Sequence, residues 1–79
     1  MVTAETIIKR IQEKISSAEV KAKDLTGGGD HWQVTVRAKE FKGKTLIQQH
    51  QMIYQALGEL MHHQIHALSL DTAEKKEIL

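Results

Sequence analysis

Apolar positions recur along this chain at two distinct periods. Ile7, Ile8, Ile11 and Ile15 fall at helical spacing, with Lys9, Arg10, Glu13 and Lys14 filling the opposite face. This predicts an amphipathic first helix opening at Ala4, Glu5 and Thr6 behind Thr3 as N-cap, with Ser16 and Ser17 as weak stop signals. The period then changes to two. Ala18, Val20 and Ala22 alternate with Glu19, Lys21 and Lys23, and Trp32, Val34, Val36 and Ala38 alternate with His31, Gln33, Thr35, Arg37 and Lys39. Both segments read as half-exposed strands. Between them lies Thr26-Gly27-Gly28-Gly29-Asp30, the clearest loop in the sequence. Its glycines confer backbone freedom at high entropic cost, so a hairpin with a long, mobile tip is expected.

Phe41-Lys42-Gly43-Lys44 is a turn, and Thr45 is placed to cap the next helix. Leu46 to His62 is read as helical, as a short helix running into a longer one, with Met52, Ile53, Ala56, Leu57, Leu60 and Met61 on its buried face. Gln64 to Leu70 reads as a third strand, and Asp71 or Thr72 as the cap of a last helical turn with Glu74 near the positive end of its dipole. The predicted order is helix, strand, strand, helix, strand, helix. The fold class is α+β, in one domain over residues 1–79. One core should unite Ile7, Ile11, Ile15, Trp32, Val34, Val36, Ile53, Leu57, Leu60 and Leu68.

Composition narrows the function classes. Eleven Lys and Arg balance ten Asp and Glu, so no general attraction to nucleic acid or anionic membranes is expected. The chain has no Cys, which excludes disulfides, thiol catalysis and Cys-ligated metal within it. No apolar run approaches the length of a membrane span. The N-terminus lacks the apolar run of a secretory signal. The expected location is the cytoplasm, or an organellar matrix or stroma if a transit peptide has been removed.

No catalytic constellation is present. The three glycines are not followed by Lys-Ser or Lys-Thr and lead into a strand rather than a helix, which argues against a phosphate loop. Ser16, Ser17 and Ser69 have no triad pattern about them. An enzyme is therefore not expected. The informative residues are five histidines, His31, His50, His62, His63 and His66, because imidazole ligates zinc, copper and iron. No two stand at a secure metal spacing, and each taken singly suits a surface or hydrogen-bonded role. His31 sits where the flexible loop enters a strand. His66 is read as an early, partly buried residue of the third strand, in phase with Leu68 and Leu70. His62 and His63 end a helix, where the dipole favours positive charge. His50 is assigned an orienting role at the helix junction, or that of a secondary metal ligand. Arg37, Lys39, Lys42 and Lys44 surround the turn and could face phosphates, although Glu40 interrupts them. Trp32, in phase with Val34 and Val36, is a core residue rather than a base-stacking one.

Three motifs together resemble the BolA family. They are Phe41-x-Gly43-Lys44 followed by the run from Gln48 to Leu57, then Ile65-His66-Ala67-Leu68-Ser69-Leu70, and finally Asp30-His31-Trp32, which is similar to the loop motif of the branch carrying His rather than Cys. The resemblance implies a fold similar to the type II KH domain, a three-stranded mixed sheet backed by helices on one face. It also implies a partner, a monothiol glutaredoxin with a CGFS motif, with which the chain would form a heterodimer while remaining a monomer alone. The pair would share a 2Fe–2S cluster held by the glutaredoxin Cys, a glutathione thiolate, and the family's C-terminal and loop ligands, which fall on His66 and His31. The isolated chain would hold no cluster tightly. The alternative implied by the family is a nucleic-acid-binding transcriptional regulator. Two departures count against it: Gln49 and Gln51 flank His50 where many members carry basic residues, and the paired-glycine loop of KH domains is missing, with only Gly43 nearby.

Overall fold

The computed structural model describes residues 2–76. Helix α1 spans Ala4–Lys14, with the Thr3 hydroxyl accepting from the Thr6 N–H at 3.3 Å. Strands β1 (Glu19–Asp24) and β2 (His31–Ala38) follow, and a single 3₁₀ turn at Lys39–Phe41 leads to α2 (Leu46–Leu57), α3 (Leu60–His63) and β3 (Ala67–Glu74). The sheet order is β1-β2-β3, antiparallel between β1 and β2 and parallel between β2 and β3. The α+β class and the mixed three-stranded sheet are as the sequence predicts. Among the described residues no helix is long and apolar enough to cross a membrane.

The period-two pattern places β2 at the centre. Trp32, Val34, Val36 and Ala38 are buried, while His31, Gln33, Thr35 and Arg37 are only half-buried on the other side. The buried set meets Ile7, Ile11 and Ile15 of the first helical stripe and Ile53, Ala56, Leu57 and Leu60 from α2 and α3. Nine of the ten anticipated core residues are buried; Leu68 is half-buried and packs against the cluster. Phe41 is also fully buried, so what reads as a turn in sequence plugs the core.

Three boundaries differ from the sequence reading. The second helical stretch breaks at Gly58, whose φ of +53° ends α2, so the longer helix comes first and the short one second. The third strand starts at Ala67 rather than Gln64. Gln64 and Ile65 instead close α3 by donating to the Leu60 carbonyl at 3.0 and 2.8 Å. The strand also runs on through Asp71, Thr72 and Glu74, which were expected to cap and begin a last helix. Tertiary pairing overrides local cap chemistry here. Thr35 to Ala38 pair with Asp71 to Glu74, the Arg37 guanidinium donates to the Asp71 carbonyl and carboxylate at 3.1 and 3.2 Å, and the Lys75 N–H donates to the Ala38 carbonyl at 3.0 Å. Lys75 and Lys76 are not helical, and residues 77–79 lie outside the described residues.

Candidate functional site

Parallel pairing of β3 beside β2 puts His31 opposite Ala67 and so brings His66, the residue before the strand, alongside His31. The two imidazoles stack with centroids 5.2 Å apart and planes 16° from parallel. Because the lone pair of an imidazole nitrogen lies in the ring plane, near-parallel rings can direct their lone pairs to the same side. His31 is half-buried and His66 exposed, so the pair stands at the surface. His66 is thus neither inside the strand nor partly buried, as the sequence suggested.

The pair rests on the glycine loop. The Asp30 carbonyl accepts from the N–H groups of His66 and Ala67 at 2.7 and 3.1 Å, tying the loop to the start of β3. Trp32 is buried as expected, and its Nε1–H donates to the Gly29 carbonyl at 2.9 Å. Asp24, at the end of β1, accepts from the N–H groups of Thr26 and Gly27 on one carboxylate oxygen, at 3.3 and 3.0 Å, and from Gly29 on the other, at 2.9 Å. The loop is therefore bonded within itself. The carboxylate of Asp30 is 3.8 Å from His31 Nε2, beyond hydrogen-bonding distance.

The remaining histidines do not join the stack. His62 and His63 close α3 and meet edge-on, and with Asp30 and His66 they line a shallow depression of about 310 Å³. His50 lies half-buried within the unbroken helix α2; the junction it was expected to orient falls eight residues later, at Gly58. Gln49 beside it is buried and donates to the Lys44 carbonyl at 3.1 Å, bracing the turn before the helix. Among the described residues, no group of three or more His, Asp or Glu could hold a metal ion unaided. The two imidazoles offer two nitrogen donors at the surface, and a metal centre held there would need its other ligands from outside the chain.

The four basic residues singled out in the sequence do not act together. Arg37 is engaged by Asp71. Lys39 and Lys42 instead join Lys75, Lys76 and Glu74 around a depression of about 440 Å³ that Lys44 does not line. Lys75 in turn pairs with Glu19 at 2.9 Å. Sequence reasoning missed Lys75 and Lys76 here, and it missed Asp24, whose only signal was an acid just before a glycine run. It also missed Glu40 as a structural residue. The Glu40 carboxylate accepts from the hydroxyl and N–H of Ser17, and the Ser17 hydroxyl is the main reason its pKa lies below the ordinary value.

Residues 6–77 match the family described as BolA-like protein, and the chain belongs to that family. It is similar to protein BOLA2 of Arabidopsis thaliana, 36% identical over 75 residues covering 94% of this chain and 80% of the relative. It is likewise similar to the DNA-binding transcriptional regulator BolA of Escherichia coli, 32% identical over 82 residues covering 90% of this chain and 78% of the relative. The solved structure of a bolA protein homologue from Coxiella burnetii superposes with a TM-score of 0.77 at 37% identity, over 91% of this chain and 90% of that one.

Proposed function

We propose that this BolA-like chain is a non-enzymatic partner of a monothiol CGFS glutaredoxin, with which it shares a 2Fe–2S cluster for assembly, trafficking or sensing of iron. His66 and His31 are its ligands; the glutaredoxin Cys and a glutathione thiolate are the others. The observation that carries this reading is the stacked, surface-standing pair of imidazoles 5.2 Å apart. Such a pair has little value to the core, since one ring is exposed and the other only half-buried. When bound, a cluster with imidazole in place of thiolate is less negative and has a higher potential. This chain's part is to present two neutral donors in fixed relation on a rigid strand end, which lowers the ordering cost of ligation. Imidazole must be deprotonated to ligate, so the association should weaken in acid.

The test is anaerobic reconstitution of the chain with a CGFS glutaredoxin and glutathione, read by visible absorption and circular dichroism. The wild-type spectrum should differ from that of the glutaredoxin alone, and His66→Ala should abolish the difference. Unchanged spectra and stability in both His66→Ala and His31→Ala would sink the assignment. A nucleic-acid role is the second reading, favoured by the lysines about the second depression. It predicts affinity falling steeply with salt, which a gel shift at two salt concentrations measures. With Arg37 engaged and the formal net charge only +1, weak and non-specific binding is expected.

A further inference from the structure

We infer that Asp24 is a positioning residue for the His31–His66 pair, its carboxylate acting as the built-in anion around which the glycine loop is wound; the inference rests on reading that pair as ligands. Three backbone N–H groups, of Thr26, Gly27 and Gly29, converge on the two Asp24 oxygens at 3.3, 3.0 and 2.9 Å. The Gly28 N–H between them donates to the Thr26 hydroxyl at 3.2 Å; the other three gather about one anion much as the backbone nests that elsewhere bind phosphate do. Here the chain supplies its own anion. Bonds to an ionised acceptor are stronger than neutral ones, as ordering a glycine run requires.

The conformation explains why glycine is needed. Gly27 and Gly29 have φ of +80° and +77°, in the left-handed region. A Cβ at Gly27 would meet nothing within 4 Å, so the requirement there is backbone conformation and not space.

From Asp24 the constraint passes through consecutive contacts to both imidazoles. Asp24 holds the Gly29 N–H, and the carbonyl of the same residue, in the next peptide unit, accepts from Trp32 Nε1 at 2.9 Å. The next carbonyl, of Asp30, carries the N–H groups of His66 and Ala67 at 2.7 and 3.1 Å. His31 follows Asp30 directly and is the first residue of β2. One carboxylate therefore governs the segment that carries His31 and the acceptor that seats His66. Apart from Trp32, which belongs to the core, these contacts lie in the loop and at the strand ends, so the ring pair can be disturbed while Val34 and Leu57 stay packed.

The experiment compares Asp24→Ala and Asp24→Asn with wild type, first in the free chain by NMR and then in the anaerobic glutaredoxin complex. In Asp24→Ala, the Gly27 and Gly29 amides should exchange roughly tenfold faster or more, as expected for loss of a charged acceptor. The His31–His66 ring contact should disappear, while the methyl signals of Val34 and Leu57 stay in place. Asp24→Asn can keep the oxygen that serves Thr26 and Gly27 but replaces the one that serves Gly29, so Gly29 should accelerate more than Gly27. In the complex, Asp24→Ala should move the cluster's circular dichroism in the direction of His31→Ala. Unchanged amide exchange and an unchanged ring contact in Asp24→Ala would overturn the inference, and equal protection of Gly29 in Asp24→Asn would do the same. The two readings fail separately. If His31→Ala and His66→Ala alter the cluster while Asp24→Ala leaves rings and spectrum intact, positioning is wrong and ligation stands. If Asp24→Ala separates the rings but neither His variant changes the cluster, positioning stands and ligation is wrong.

Discussion

Each end of β2 is held by a carboxylate, and the two do different work. At the His31 end, Asp24 bonds only a few residues ahead, to N–H groups of its own hairpin tip. At the Ala38 end, Glu40 reaches back to Ser17, 23 residues earlier, and joins the 3₁₀ turn to the turn between α1 and β1. The Lys39 N–H donates to the same Ser17 hydroxyl at 2.8 Å, closing the tether. A local anchor shapes a surface without stiffening the whole fold; a long-range one stitches elements together. The stacked histidine pair lies at the locally anchored end, and the stitched end carries compensated charge such as Lys75 with Glu19. The expectation is that one end can be altered with little loss of stability, and the other with little loss of recognition.

The reference for both is the core between them. Leu57 is fully buried against β2 and α1 residues. Leu57→Ala should cost about 2–5 kcal/mol in chemical denaturation, enough to threaten folding of a chain this small. A loss below about 1 kcal/mol would mean that α2 is not the lid of the core.

Next in size are changes at the His31 end. His66→Ala should leave the denaturation midpoint almost unmoved, because the ring is exposed, yet make the shared cluster labile and change its circular dichroism. His31→Ala should act in the same way and more mildly, since His31 adjoins the glycine loop and water or another group can take the place of its ring. A stability loss as large as that of Leu57→Ala would erase the distinction between surface and core drawn here.

Ser17→Ala tests the other end and should do the reverse. Removing a hydroxyl that donates to Glu40 and accepts from Lys39 should cost about 1–2 kcal/mol at neutral pH, with cluster spectra unaffected. Because the Ser17 hydroxyl lowers the folded-state pKa of Glu40, its contribution is present above the unfolded-state value and is lost as pH falls through the lowered one. The gap between wild type and Ser17→Ala should therefore narrow in acid, leaving the Lys39 contact alone. A gap that widens in acid would show that Glu40 is not the charged partner.

What the sequence made legible follows from periodicity. Ile7, Ile11, Val34 and Leu57 declare their burial through spacings of 3.6 and 2, and Thr45 caps α2 as its position suggested, while the reciprocal bond from Gln48 that completes a capping box was not read. Residues 71–74 were misread because Asp and Thr signal helix caps locally, whereas pairing with β2 is a long-range fact. The histidine pair was named through resemblance alone. His31 and His66 are far apart in sequence and become neighbours only through the parallel register. Asp24 stayed hidden for a related reason: an acid before glycines is ordinary loop composition until the N–H directions are known.

The smallest expected effects are at His62 and His63, and they sharpen the comparison most, because these residues share a depression with His66 and Asp30. Proximity alone would make them candidate ligands. Their backbones, however, belong to α3 and not to the loop that Asp24 controls: the N–H groups of both donate to the Glu59 carbonyl, at 3.0 and 3.2 Å. Their rings meet each other edge-on at 6.4 Å, whereas those of His31 and His66 stack. Both are exposed, so truncation removes little buried area. At the last turn of a helix they gain only the modest dipole stabilisation open to a protonated imidazole. His62→Ala and His63→Ala should therefore shift stability by less than about 0.5 kcal/mol, and leave the cluster's absorption and circular dichroism as in wild type. If either variant instead labilises the cluster as His66→Ala does, ligation follows closeness to the depression and not attachment to the Asp24 loop, and the division between the two ends of β2 would have to be redrawn around α3.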